Sequence, residues 1–168
     1  MIMTRLSTVD KWLEDRLTKN QNGIICDGED NTSFHAIHDF LETKDRTFKT
    51  PAIYYTAFAD DNPAEFISVL VEELNSKLGW HNSKSCSTRS ETVVMSELQM
   101  VIIDRCYLHS PETTQELLTW FNQQGVCLIL VGSQAQMNRN RFLQRSSMAN
   151  LPKLAIDTRQ PDMLPMSC

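Results

Sequence analysis

The sequence predicts an α/β protein, a three-layer α/β/α sandwich around a parallel, five-stranded sheet of the P-loop type. Three observations carry that expectation. Short apolar runs alternate along the chain with stretches of helical spacing. The runs Gly23 to Cys26, Met100 to Ile103 and Val126 to Val131 are apolar at nearly every position. Strands of that kind are covered on both faces, as in parallel sheets.

The elements follow in order. A leading helix carries Leu6, Val9, Trp12, Leu13 and Leu17 on one face. Strand one spans Gly23 to Cys26, and a polar turn leads to a helix from about Thr32 to Leu41. After Thr43 to Lys49, Pro51 introduces strand two, Ala52 to Phe58. Asp60-Asp61-Asn62-Pro63 starts the next helix, with Phe66, Val69, Leu70 and Leu74 on its buried face. His81 to Ser90 is rich in Ser and Asn and reads as a loop. A short helix from about Glu91 to Leu98 leads to strand three, Met100 to Asp104. Ser110-Pro111-Glu112 opens another helix with Pro at its first position, and the helix ends near Gly125. Strand four is Val126 to Val131. A last helix from about Arg139 to Met148 precedes strand five, Lys153 to Asp157. Residues 1–158 form one core domain and 159–168 a tail.

Hydrophobic content of 41% and charged content of 22% are those of an ordinary globular domain. No apolar run approaches the roughly 18 residues that span a bilayer, so no membrane association is expected. Met1-Ile2-Met3-Thr4-Arg5 lacks a secretory apolar stretch, and a cytoplasmic location is the expectation. The net charge of −5 disfavours a mainly electrostatic grip on nucleic acid. The five cysteines show no ligand spacing, and those in or beside strands read as small apolar residues. His35 and His38 share a helix face, and His81 precedes Cys86, but no second clustered pair completes a zinc site.

The turn after strand one holds the candidate site. The pattern G-x-x-x-x-G-K-[ST] marks a phosphate-binding loop between a strand and a helix. Laid onto it, Ile25 takes the first glycine position, Asp30 the second and Asn31 the lysine position. The inner Gly28 and the hydroxyl of Thr32 remain. Such a loop works by aiming backbone N–H groups, a helix N-terminus and a lysine at a polyanion. Here the lysine is replaced and Asp27, Glu29 and Asp30 add negative charge. One unit pair at about 4 Å is worth roughly 4 kcal/mol at an effective dielectric near 20. The same residues also read as an acidic turn with Asp30 or Asn31 capping the helix.

Strand three ends in Ile102-Ile103-Asp104-Arg105, an apolar strand closing on the carboxylate that would steady magnesium. Arg105 follows where a hydrolysing enzyme needs a carboxylate to position water, and a guanidinium accepts no proton. Strand four ends at Val131-Gly132-Ser133, placing a hydroxyl toward the same site.

With these residues the chain resembles the TniB/TnsC-type AAA+ ATPases of bacterial transposons, from about Thr8 to Lys153. The resemblance rests on Asp10-Lys11-Trp12-Leu13, Asp27 to Thr32, Ile53-Tyr54-Tyr55, Met100 to Asp104, Pro111-Glu112-Thr113 and Gln124 to Ser133. It implies an AAA+ core, with the strand from Val126 beside the first strand and the strand from Met100 next outward. It also implies oligomers on DNA and contacts to a transposition protein. The departures are the missing loop lysine and glycines, Arg105 in place of glutamate, and no lid domain after strand five. Arg145 falls near the family's trans-acting arginine, and Asp60 and Asp61 stand where family members carry basic residues toward DNA.

The expectation is therefore a catalytically inactive AAA+-like module that binds protein and takes no cofactor. Its partner would be an intact TniB/TnsC-type ATPase or another transposition protein, including one of a CRISPR-associated transposon. Gly28, Asp30, Asn31, Thr32, Asp104, Arg105 and Ser133 form the degenerate nucleotide site, and Glu29, Arg141 and Arg145 a candidate interface. DNA contact is not expected from the chain alone. Two other readings stay open: a weak NTP-binding switch using Thr32, Asp104 and Ser133, and a DNA-associated regulator using the Arg139-Arg141-Arg145 helix.

Overall fold

The computed structural model describes residues 2–28, 32–47, 52–77 and 98–156. Five parallel strands lie in the order β2-β3-β4-β1-β5. They are β1 (Gly23–Asp27), β2 (Ala52–Thr56), β3 (Met100–Asp104), β4 (Cys127–Ser133) and β5 (Lys153–Ala155). The helices are α1 (Ile2–Lys19), α2 (Thr32–Thr47), α3 (Pro63–Lys77), α4 (Pro111–Gln124) and α5 (Gln134–Arg139). The strand from Val126 does lie beside β1, with β3 next outward and all three parallel.

Alternation along each strand sends neighbouring side chains to opposite faces. Ile25, Met100, Ile102, Cys127, Ile129 and Val131 pack with Val9 and Leu13 of α1 and with Ile37 and Phe40 of α2. Ile24, Cys26, Val101, Ile103, Leu128 and Leu130 pack with Phe66 and Leu70 of α3 and with Leu117 and Phe121 of α4. Both faces of the sheet are thus covered, which is why its strands carry no polar alternation. The helices after the adjacent strands β1 and β4 go to opposite faces: α2 to the first, α5 through Met137 to the second. By the general rule for open α/β sheets, such a divergence marks a crevice at the carboxyl ends of the two strands, where ligands bind.

Local chemistry explains the element ends. Ser110 accepts the Thr113 N–H at 3.1 Å, Pro111 follows, and Gly125 closes α4 at φ 69°. Asn62 Oδ1 accepts the Ala64 N–H at 2.9 Å at the start of α3. Asn22 is the hinge into β1, its buried side-chain oxygen accepting the Leu128 N–H at 2.9 Å.

Several sequence expectations are corrected. α2 runs on to Thr47, through the expected polar turn. β4 is shifted to Cys127–Ser133 and β5 is shorter than expected. The helix expected from Arg139 to Met148 does not form. Instead Ser133 caps the short α5, and Arg141 adopts a left-handed conformation (φ 50°) before a 3-10 turn, Phe142–Gln144. A left-handed residue cannot continue a right-handed helix. The expected loop His81 to Ser90, nearly all of the helix from Glu91, and the tail 159–168 lie outside the described residues.

Gly23 is required by close approach. A Cβ there would meet Trp12 Cη2 at 2.5 Å and Cζ2 at 2.9 Å. Gly23→Ala should therefore cost about 1–3 kcal/mol in urea unfolding. Combined with Trp12→Leu it should cost less than the sum of the two single changes; strict additivity would show that the α1–β1 contact is not what demands the glycine.

Candidate functional site

The crevice at the carboxyl ends of β1, β3 and β4 brings together much of the predicted nucleotide site. Asp27 pairs with Ser133 across the β1–β4 ladder, and Asp104 pairs with Val131 across β3–β4. By alternation Asp27 and Ser133 share the α2 face with Ile25 and Val131. Each of these polar groups already has an internal partner.

Asp27 is only 4% exposed, and its Oδ2 accepts from both the backbone N–H (3.1 Å) and the hydroxyl of Ser33. Ser33 lies in the first turn of α2, whose N–H groups carry no intrahelical partner. A side chain from the end of β1 thus delivers negative charge to the helix end where a phosphate-binding loop would hold phosphate. Charge-assisted bonds of this kind are worth about 1.5–3 kcal/mol each. Asp27 Oδ1 is buried without a hydrogen bond among the described residues. From the sequence alone Asp27 is only a repulsive charge, and Asp30 or Asn31 is the expected cap. The signal that could have found it is the serine at the start of α2, six residues on.

Asp104 is likewise engaged. Tyr54 on β2 donates its hydroxyl to Oδ2 at 2.6 Å, and the Arg105 N–H bonds Oδ1 at 2.8 Å. Arg105 is exposed and sits at φ 53°, an uncommon conformation for a residue with a side chain. The Ser133 hydroxyl accepts the Gln136 N–H at 3.2 Å and so caps α5. Thr32 opens α2, and Gly28 is half-buried just beyond β1. Glu29, Asp30 and Asn31 lie outside the described residues.

Beside the crevice, Tyr54 meets Phe34 edge-on at 5.9 Å and His38 at 4.8 Å, with Phe34 41% exposed. Burial first, then the bond to Asp104, pushes the Tyr54 phenol far above its ordinary range. Burial also raises the thiols of Cys26, Cys106 and Cys127, the last to about 12, so all three are inert apolar fillers. Among the described residues no cluster of three or more His, Cys, Asp or Glu could hold a metal ion.

Two charged residues differ from expectation. Asp61 does not face outward as a bare acid. It accepts from Phe58 N–H (2.8 Å), from Tyr55 OH (3.3 Å) and contacts buried His109 Nε2 at 2.7 Å. Arg145, expected on a helix and at an interface, instead donates to His109 O (3.0 Å) and Thr114 Oγ1 (3.2 Å) and lies over Phe142. Partial burial lowers its pKa. Arg139 and Arg141 are exposed, and the helix expected to carry them with Arg145 is absent. None of these long-range pairings has a local sequence signature.

No protein-family model matches the chain, and no curated protein matches it. Among the described residues no helix is long and apolar enough to cross a membrane.

The Tyr54–Asp104 bond makes a pH prediction. Because the folded phenol ionises above the ordinary value of 10.0, the unfolded chain releases this proton first as pH rises. The contribution is fully present below about pH 10 and is lost above it. Tyr54→Phe should cost about 1 kcal/mol near neutrality and make the alkaline fall in stability shallower. An unchanged fall between about pH 9 and 11.5 would contradict the assignment.

Proposed function

We propose that the chain is a catalytically inactive, AAA+-like module that acts by binding another protein. One observation carries this reading: the groups at the phosphate and magnesium positions are engaged within the chain. Asp27 supplies the negative charge at the start of α2, Tyr54 and the Arg105 amide hold Asp104, and Ser133 caps α5. A polyanion entering this crevice would meet two carboxylates and would have to displace these bonds. The loop also lacks the lysine that compensates a triphosphate.

The strand order and the crevice at the β1–β4 divergence support descent from a nucleotide-binding ancestor. The resemblance to TniB/TnsC-type ATPases gives the proposal its context. The module would join a transposition assembly, with an intact ATPase of that type or another transposition protein as its partner. Arg145, bonded to His109 and Thr114, supports the same assignment, since a guanidinium held inward is not offered to a neighbour's nucleotide. Duplex DNA is not a ligand of the isolated chain on this reading.

Millimolar ATP with magnesium should leave the melting temperature unchanged and release no phosphate. A ligand at a hundred times its Kd would add about 2.7 kcal/mol of stability, a shift easily read. A clear thermal shift would make the chain a nucleotide-binding switch. Salt-sensitive duplex binding, lost on changing Arg139 and Arg141, would make it a DNA-associated regulator.

A further inference from the structure

On the face of the sheet away from α1 and α2, the helices α3 and α4 bound a groove of about 430 Å³. Ile67 and Trp120, both half-buried, line it together with Pro63 and Ala64 from the first turns of α3. Glu116 and Gln123 lie on its α4 side. Tryptophan, here half-buried in the lining of an open cleft, is among the residue types that anchor protein partners most strongly.

Glu116 is the charged residue of the lining, and the charges that α3 before Lys77 and α4 themselves carry are of one sign. From Asp60 to Glu73 and along all of α4, every charged residue is acidic: Asp60, Asp61, Glu65, Glu72, Glu73, Glu112 and Glu116. Asp61 is taken by His109, and Glu65, Glu72 and Glu116 are exposed. No basic residue occurs on either helix before Lys77. Burial raises the Tyr55 phenol beneath α3, and the carboxylates of Asp61, Asp60 and Glu73 raise it further, as such a field requires. An apolar floor between two helices suits the apolar side of a third helix, and an acidic surround selects lysine and arginine on its flanks.

We infer that the α3–α4 groove docks a basic amphipathic helix of a protein partner. The inference rests on the reading of the chain as a protein-binding module and names the surface and the chemistry of its partner. It does not involve the crevice at the strand ends.

The test uses the full chain and a fluorescein-labelled synthetic helical peptide with leucine along one side and lysine on the rest, read by anisotropy. Saturable binding should weaken as salt rises. Ala64→Arg and Glu116→Lys, both at exposed positions, should each weaken it by about tenfold or more, with unchanged circular dichroism. A peptide with glutamate in place of lysine should not saturate. Equal binding of the two peptides, or wild-type affinity in both variants, would overturn the proposal. Competition by a synthetic copy of residues 159–168 would assign the groove to the chain's own tail. Sedimentation as a dimer that Ala64→Arg dissociates would assign it to a second copy, and either result overturns the partner named here. Failure of peptide binding with no response to ATP removes this surface and leaves the wider reading standing; a response to ATP removes the wider reading whatever the peptide does.

Discussion

A buried carboxylate at the end of β1 ties the sheet to the helix that follows it. Asp27 leaves β1 where the chain turns into α2, and it bonds the amide and hydroxyl of Ser33 in the first turn of that helix. The bond joins the two elements around the turn and satisfies donors that the helix cannot satisfy itself. It also fixes a negative charge at the point where the sheet topology offers an anion its natural seat. On the proposed reading, one side chain both stabilises this end of the sheet and disfavours phosphate there.

The neighbouring strands show the same use of polar residues. Asp104 closes β3, where a tyrosine hydroxyl from the edge strand and the next backbone amide hold it. Ser133 keeps a hydroxyl at the end of β4 and uses it on α5. Arg145 belongs to the same pattern, drawn to a backbone carbonyl and a threonine instead of outward. What remains outward is the acidic surface of α3 and α4, on the far side of the sheet from α2. The described residues thus divide between strand ends whose polar groups are bonded internally and an acidic α3–α4 face that carries a groove.

The sequence made much of the fold legible, for a physical reason. Runs such as Met100 to Ile103 are apolar at every position because both faces of the sheet are covered, and that demand shows in a single strand. Ser110-Pro111 and Gly125 bound α4 because capping chemistry is local. The helix expected from Arg139 failed because its end depends on Arg141 turning left-handed and on Phe142 being drawn into the core, neither of which a local pattern records. The site was legible as a set of positions, Asp104 and Ser133 among them. It was not legible as a set of bonds. Tyr54 to Asp104 spans 50 residues and His109 to Asp61 spans 48, so only the folded sheet brings these partners together.

The central claim is that Asp27 already occupies the donors at the start of α2. The Ser33 amide proton, followed by nuclear magnetic resonance while magnesium-ATP or inorganic phosphate is added, reads this directly. The account predicts a Ser33 resonance that stays fixed throughout either titration and shifts in Asp27→Ala, where its acceptor is gone. A saturable, phosphate-dependent movement of Ser33 together with Gly28 in the unaltered protein would show that the seat is open to phosphate, and would contradict it.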